Sequence, residues 1–108
     1  MSPRPCIELL WWEGCPSTEK ALELLREAMT TEGLDPDAVT MREVPTADDA
    51  ERERFVGSPT IRVGGREVAP AEDEPVGLTC RVYRLRDGRV SPTPDPQDIR
   101  DAIRLATE

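Results

Sequence analysis

The stretch that decides the fold reads Cys6-Ile-Glu-Leu-Leu-Trp-Trp-Glu-Gly14-Cys15-Pro16-Ser17-Thr18-Glu19-Lys20. Residues 6–12 are apolar except for Glu8, the composition of a largely buried strand. Gly14 suits a tight turn, and Pro16 suits the first position of a helix, where its missing N–H costs nothing. The expected layout is therefore strand, turn, helix, with Cys15 opening the helix. A thiol there would face the free N–H groups of Ser17 and Thr18 and the positive end of the helix dipole. Such a setting can lower a cysteine pKa from about 8.5 into a range of about 3.5 to 7.5. The same residues equally describe an inert cysteine in a strand-to-helix turn.

Downstream, Leu22, Leu25 and Met29 fall on one helical face, while Glu19, Glu23, Arg26 and Glu27 can face water. Gly33 is a stop signal. Val39-Thr-Met-Arg-Glu-Val44 alternates as a strand should, so strand, helix and strand suggest a βαβ unit with a parallel pair. Residues 46–55 suggest a short helix capped by Thr46, with Ala47, Ala50 and Phe55 inward and Glu51-Arg-Glu-Arg54 solvated. Gly57-Ser58-Pro59 ends it. Thr60–Val63 is a strand, and Gly64-Gly65 signals a hairpin into Arg66-Glu67-Val68. Residues 69–79 lack periodicity and are expected to be a loop. Cys80–Leu85 alternates as a further strand, Asp87-Gly88 turns, and Asp95-Pro96 opens a last helix with Ile99, Ala102, Ile103 and Ala106 on one stripe.

At 108 residues the chain is expected to form one domain, residues 1–108. A formal net charge of −8 argues against nucleic acid or an anionic membrane as partner, since both would be repelled. No apolar run approaches the length of a membrane-spanning helix, and Met-Ser-Pro-Arg-Pro at the start lacks the layout of a secretory signal. A cytoplasmic protein is the expectation. The three cysteines, Cys6, Cys15 and Cys80, are an odd number without a CxxC pair, which fits a reducing compartment better than a disulfide framework. The absence of histidine removes the usual base of a triad hydrolase and leaves no zinc-site pattern. No metal site and no resident cofactor are expected.

The order β-α-β-α-β-β-α, with Cys15 at the first helix and Ser58-Pro59-Thr60 before the third strand, resembles the thioredoxin fold. The resemblance implies a four- or five-stranded mixed sheet flanked by three helices, and a cis Ser58–Pro59 bond beside the reactive cysteine. Thr18 stands where the usual second cysteine would be, so a two-thiol cycle within that motif is excluded. What remains looks like a monothiol glutaredoxin site, which would use glutathione or another small thiol. Gly57–Thr60 and Cys80–Tyr83 are also similar to a group of short bacterial thioredoxin-like proteins with Gly-Ser-Pro-Thr and Cys-Arg-x-Tyr motifs. Some of that group are named for alkylmercury lyase, whose cysteine and carboxylate roles do not carry over to residues here.

Three functions fit these residues. The first is a thiol–disulfide oxidoreductase with Cys15 as nucleophile, acting on a thiol or disulfide substrate. The second is a mercury or soft-metal binder using Cys15 and Cys80. The third is a non-catalytic interaction module of the same fold. In the first, Trp12, Ser58, Pro59 and Thr60 would border the substrate, and Cys80 is the remaining candidate for resolving a mixed disulfide. Trp11 and Trp12 alternate across the strand, so one ring is expected in the core. Tyr83 is expected in strand packing, and Cys6 as a small apolar strand residue. Cys80 lies near Cys15 if the segment after the hairpin returns to that side, and at the far end if Cys80 pairs directly with the third strand. The near layout is preferred.

Overall fold

A computed structural model describes residues 5–71 and 74–107. The acidic pair Glu72-Asp73, within the loop expected at 69–79, lies outside the described residues. The elements are β1 (Ile7–Trp11), α1 (Thr18–Thr31), β2 (Val39–Glu43), α2 (Ala47–Glu53), β3 (Thr60–Val63), β4 (Arg66–Glu67), β5 (Tyr83–Arg84), β6 (Val90–Ser91) and α3 (Pro96–Thr107). A four-stranded mixed sheet has the order β2-β1-β3-β4, and β5 and β6 form a separate two-stranded ribbon. β1 runs parallel to β2 and antiparallel to β3, and β4 returns antiparallel to β3.

Strand parity explains the two cores. Ile7 and Leu9 of β1 stand opposite Val63 and Ile61 of β3 and share one face with α1 and α3. Ala21, Leu25, Ala28 and Met29 of α1 and Ile99 and Ile103 of α3 close that face. Leu10 points the other way, against Val44, Ala50 and Phe55 of the α2 layer. The α2 face is held by charge as well as by apolar contact. Arg42 bonds Glu8 at 2.8 Å and also Glu53, and Arg62 reaches Glu53 at 3.1 Å.

The helix ends follow local chemistry. Gly33 takes φ +82°, and the N–H groups of Gly33 and Leu34 bond the carbonyls of Thr30 and Met29. That is a Schellman closure, with Leu34 packed onto the core. Thr46 caps α2 by accepting from the Asp49 N–H at 3.1 Å. Asp95 accepts from the Gln97 N–H at 2.9 Å and opens α3.

Several sequence expectations need correction. α1 begins at Thr18, with Cys15 and Pro16 in the preceding turn, so Cys15 does not open the helix. Ala21 and Ala28 are buried while Leu22 is only half-buried, which rotates the inward face of α1. Ala47 is exposed, and Phe55 enters the core from beyond the end of α2. The expected strand 80–85 shortens to Tyr83–Arg84 because residue 80 pairs with Ser58 instead. Among the described residues no helix is long and apolar enough to cross a membrane.

Candidate functional site

Two segments, the turn after β1 and residues 79–81, meet at Ser58. The turn after β1 closes with the Cys15 N–H on the Trp12 carbonyl at 3.0 Å. The Trp12 ring lies flat against Gly14: a Cβ there would stand 2.4 to 2.7 Å from three ring carbons. Only a residue without a side chain fits that approach. The Trp12 N–H donates to Ser58 Oγ at 3.0 Å, and the Cys15 thiol donates to the Ser58 carbonyl at 3.3 Å. The turn is thus fastened to one residue at two points.

Ser58 is equally tied on its other side. Its N–H donates to the Thr79 carbonyl at 2.8 Å, and its carbonyl accepts from the Arg81 N–H at 2.8 Å. These bonds make a single parallel rung between Ser58 and Cys80. The Ser58–Pro59 peptide is cis. Gly57, at φ +140°, lets the Arg81 backbone approach: an added Cβ would meet Arg81 N at 3.2 Å.

The rung is locked by the side chains that follow it. Arg81, 7% exposed, donates to Thr60 Oγ1 at 3.1 Å, pairs with Glu67, bonds the Ala69 carbonyl, and lies 4.5 Å from the centre of the Tyr83 ring. The Tyr83 hydroxyl donates to the Pro59 carbonyl. Burial is the main reason the Tyr83 phenol is held well above its ordinary range, with the nearby Arg81 charge acting in the opposite direction.

Cys15 and Cys80 therefore flank the same carbonyl. Cys15 is buried at 7% exposure, whereas Cys80 is exposed. The Cys80 thiol is raised above its ordinary value, first by lost solvation, then by a hydrogen bond with Cys15 and by the charge of that neighbour. Both cysteines are free thiols.

Each sulfur has its own approach. A hollow of about 360 Å³ at Cys15 is lined by Trp11, Glu13, Pro16, Thr18, Glu19 and Met41. A second, of about 490 Å³, borders Cys80 between the loop around Ala69–Ala71, Tyr83 and the start of α3. Trp12 is expected from sequence to border a substrate near the Cys15 turn; its ring lies against Gly14 of that turn, while the tryptophan that lines the first hollow is Trp11. Trp12, like Val76 and Leu78, packs against the Leu10, Val44, Ala50 and Phe55 cluster of the α2 layer. Neither ring is fully buried. Ser58, Pro59 and Thr60 are each fully or almost fully buried, so they hold the two cysteines in place and present no surface to a ligand.

Met41 and Glu67 carry no functional signal in the sequence, and Trp11 and Arg81 enter there only through strand alternation and the Cys-Arg-x-Tyr motif. The parity of β1 puts Trp11 on the Ile7–Leu9 face, above the start of α1, and that was the available signal. Cys6 is an exposed thiol before β1 and takes no part in the site. Among the described residues, no group of three or more Cys, Asp or Glu is arranged to hold a metal ion. No family model matches the chain, and neither a curated protein nor a solved structure does.

Proposed function

We propose that this protein is a thioredoxin-like thiol–disulfide oxidoreductase in which Cys15 is the nucleophile and Cys80 the resolving thiol. The observation that carries the reading is that the Cys15 thiol bonds the Ser58 carbonyl while the backbone at Cys80 forms a rung with the same residue, so that both cysteines converge on Ser58. The parallel β1–β2 pair, the cysteine in the turn into α1, and the entry of β3 from the Ser58-Pro59 loop support the thioredoxin-like assignment. Cytoplasmic location and a small thiol as the final electron donor belong to the same reading.

The chemistry is a balanced exchange. The Cys15 thiol gives up the proton it shares with the Ser58 carbonyl, and its sulfur attacks one sulfur of a substrate disulfide. The S–S bond of the substrate breaks, one half leaves as a thiolate that takes up a proton, and the other remains on Cys15. Cys80 then loses its proton and attacks the Cys15 sulfur, releasing the second half as a thiol. The substrate has gained two electrons and two protons, and the protein holds a Cys15–Cys80 disulfide. An external small thiol reduces it again by two exchanges.

Trapping tests this in a Cys6→Ser background, which removes the third thiol. With a neutral disulfide such as hydroxyethyl disulfide, Cys15–Cys80 is the expected product by peptide mapping. Cys80→Ser should accumulate a mixed disulfide on Cys15. Recovery of both cysteines unchanged, or of mixed disulfide on Cys80 alone, would count against the proposal.

A further inference from the structure

The hollow at Cys15 has a chemical character that bears on what can reach the sulfur. Trp11, Pro16 and Met41 give it an apolar wall, and Met41 is 42% exposed at its edge. Glu13 and Glu19 are exposed on its rim, on either side of the Cys15 turn. Neither carboxylate is in an ion pair among the described residues, and no Arg or Lys lines the hollow. Lys20 follows Glu19 and is exposed but does not line the hollow, and Arg42 and Arg62 of the neighbouring strands are committed to Glu8 and Glu53 in the α2 layer. A negative rim around an apolar wall attracts cations with some apolar surface and repels anions. The chain as a whole, at −8, has the same sign.

We propose that Glu13 and Glu19 are specificity-determining residues that select cationic disulfides over anionic ones for attack by Cys15. Selection of this kind presupposes the exchange chemistry proposed above. Cys15 is almost fully buried and lines this hollow together with Glu13 and Glu19, so a substrate sulfur that reaches it from this side comes in beside both carboxylates. The substrate class that fits is an amine-bearing disulfide, either a small aminothiol disulfide or a peptide disulfide flanked by basic residues. Glutathione disulfide, which is anionic, is the disfavoured case. Exchange itself is unchanged: the Cys15 sulfur bonds one substrate sulfur and the other leaves as a thiol.

The test compares three probes: cystamine, neutral hydroxyethyl disulfide and glutathione disulfide. Each rate is divided by that of a neutral small thiol reacting with the same probe, which removes intrinsic differences between the disulfides. The expected normalised preference for cystamine over glutathione disulfide is about tenfold at low ionic strength. It should shrink in 1 M salt, where the screening length falls from about 30 Å at 0.01 M to about 3 Å. Glu13→Gln with Glu19→Gln should bring the ratio close to that of the reference thiol. Glu27→Gln with Glu51→Gln, an equal charge change at exposed sites away from the hollow, should leave the ratio alone. Equal or faster reaction of glutathione disulfide, or a preference that survives Glu13→Gln with Glu19→Gln, overturns the selection while leaving the exchange intact. Failure of all three probes to react overturns the exchange and the selection together.

Discussion

At the scale of single residues, the site is organised by polar groups whose positions depend on one another. Ser58 offers a hydroxyl to the Trp12 N–H and a carbonyl to both Arg81 and Cys15. Tyr83, the chain's one tyrosine, fixes the next carbonyl in line from a buried position. Its raised pKa has a consequence for stability. In the unfolded chain the phenol ionises near its ordinary value of about 10, whereas in the folded protein it keeps its proton to higher pH. Above about pH 10 the unfolded state therefore binds fewer protons than the native one, and stability falls as pH rises. Below that pH the contribution is fully present. Tyr83 should contribute a loss of about 1.4 kcal/mol for each pH unit above 10, until its folded-state pKa is reached. Urea unfolding between pH 8 and 12 should show this slope, and Tyr83→Phe should flatten it. Tyrosinate absorbance that appears in the folded protein near pH 10 would contradict the burial argument.

At the scale of elements, much was legible because helix ends and strand alternation are local. The cap at Thr46, the stop at Gly33 and the opening at Asp95 are each set by residues within a few positions, and each is found where the residue types put it. The positions of β2 and β3 and the Gly64-Gly65 hairpin are local in the same sense, although Met41 of β2, expected inward, is exposed. What was not legible depended on partners distant in sequence. The start of α1 moved from Cys15 to Thr18 because the Cys15 thiol is bound to Ser58, not to the N–H groups of the helix. Residues 80–82 leave the expected strand because Ser58 captures them in one rung. Trp11 and Trp12 alternate as expected, but alternation does not say which face carries α1, so it leaves open which ring lines the Cys15 hollow. The role of Thr46 is testable at this scale. Thr46→Ala removes the acceptor for the Asp49 N–H and should destabilise the protein by about 1 kcal/mol. The helix is only one link from the sheet, since Glu53 at its end holds Arg42 and Arg62. Thr46→Ser, which restores the acceptor, should recover most of the loss in the same urea titration. Equal stability of Thr46→Ala and the parent would show that α2 is held by Glu53 and Phe55 without its cap.

At the scale of the whole molecule, the fold has two parts joined at the site. The four-stranded sheet with its helices is continuous from β1 to β4, and the β5–β6 ribbon is attached beside it. The attachments include the rung at Ser58, the bonds of Arg81 to Glu67, Thr60 and the Ala69 carbonyl, the Tyr83 bond to Pro59, and Arg86 on Asp98 and Asp101 of α3. A Cys15–Cys80 disulfide would tie the turn after β1 to the start of the ribbon at this junction. It would close a loop of about 65 residues in the unfolded chain, which on the chain-entropy account stabilises the folded state by up to about 4 kcal/mol. In a Cys6→Ser background, the oxidised protein should therefore unfold at higher urea than the reduced one, with the midpoint shift abolished in Cys80→Ser. The direction also decides how the pair would work. Folding and reduction form one thermodynamic cycle, so a disulfide that stabilises the fold is correspondingly harder to reduce. Such a protein would act mainly as a reductant of its substrates, with the resolved disulfide as the stable product. An oxidised form that unfolds at lower urea than the reduced form would reverse that assignment, because the strained disulfide would then be an oxidant.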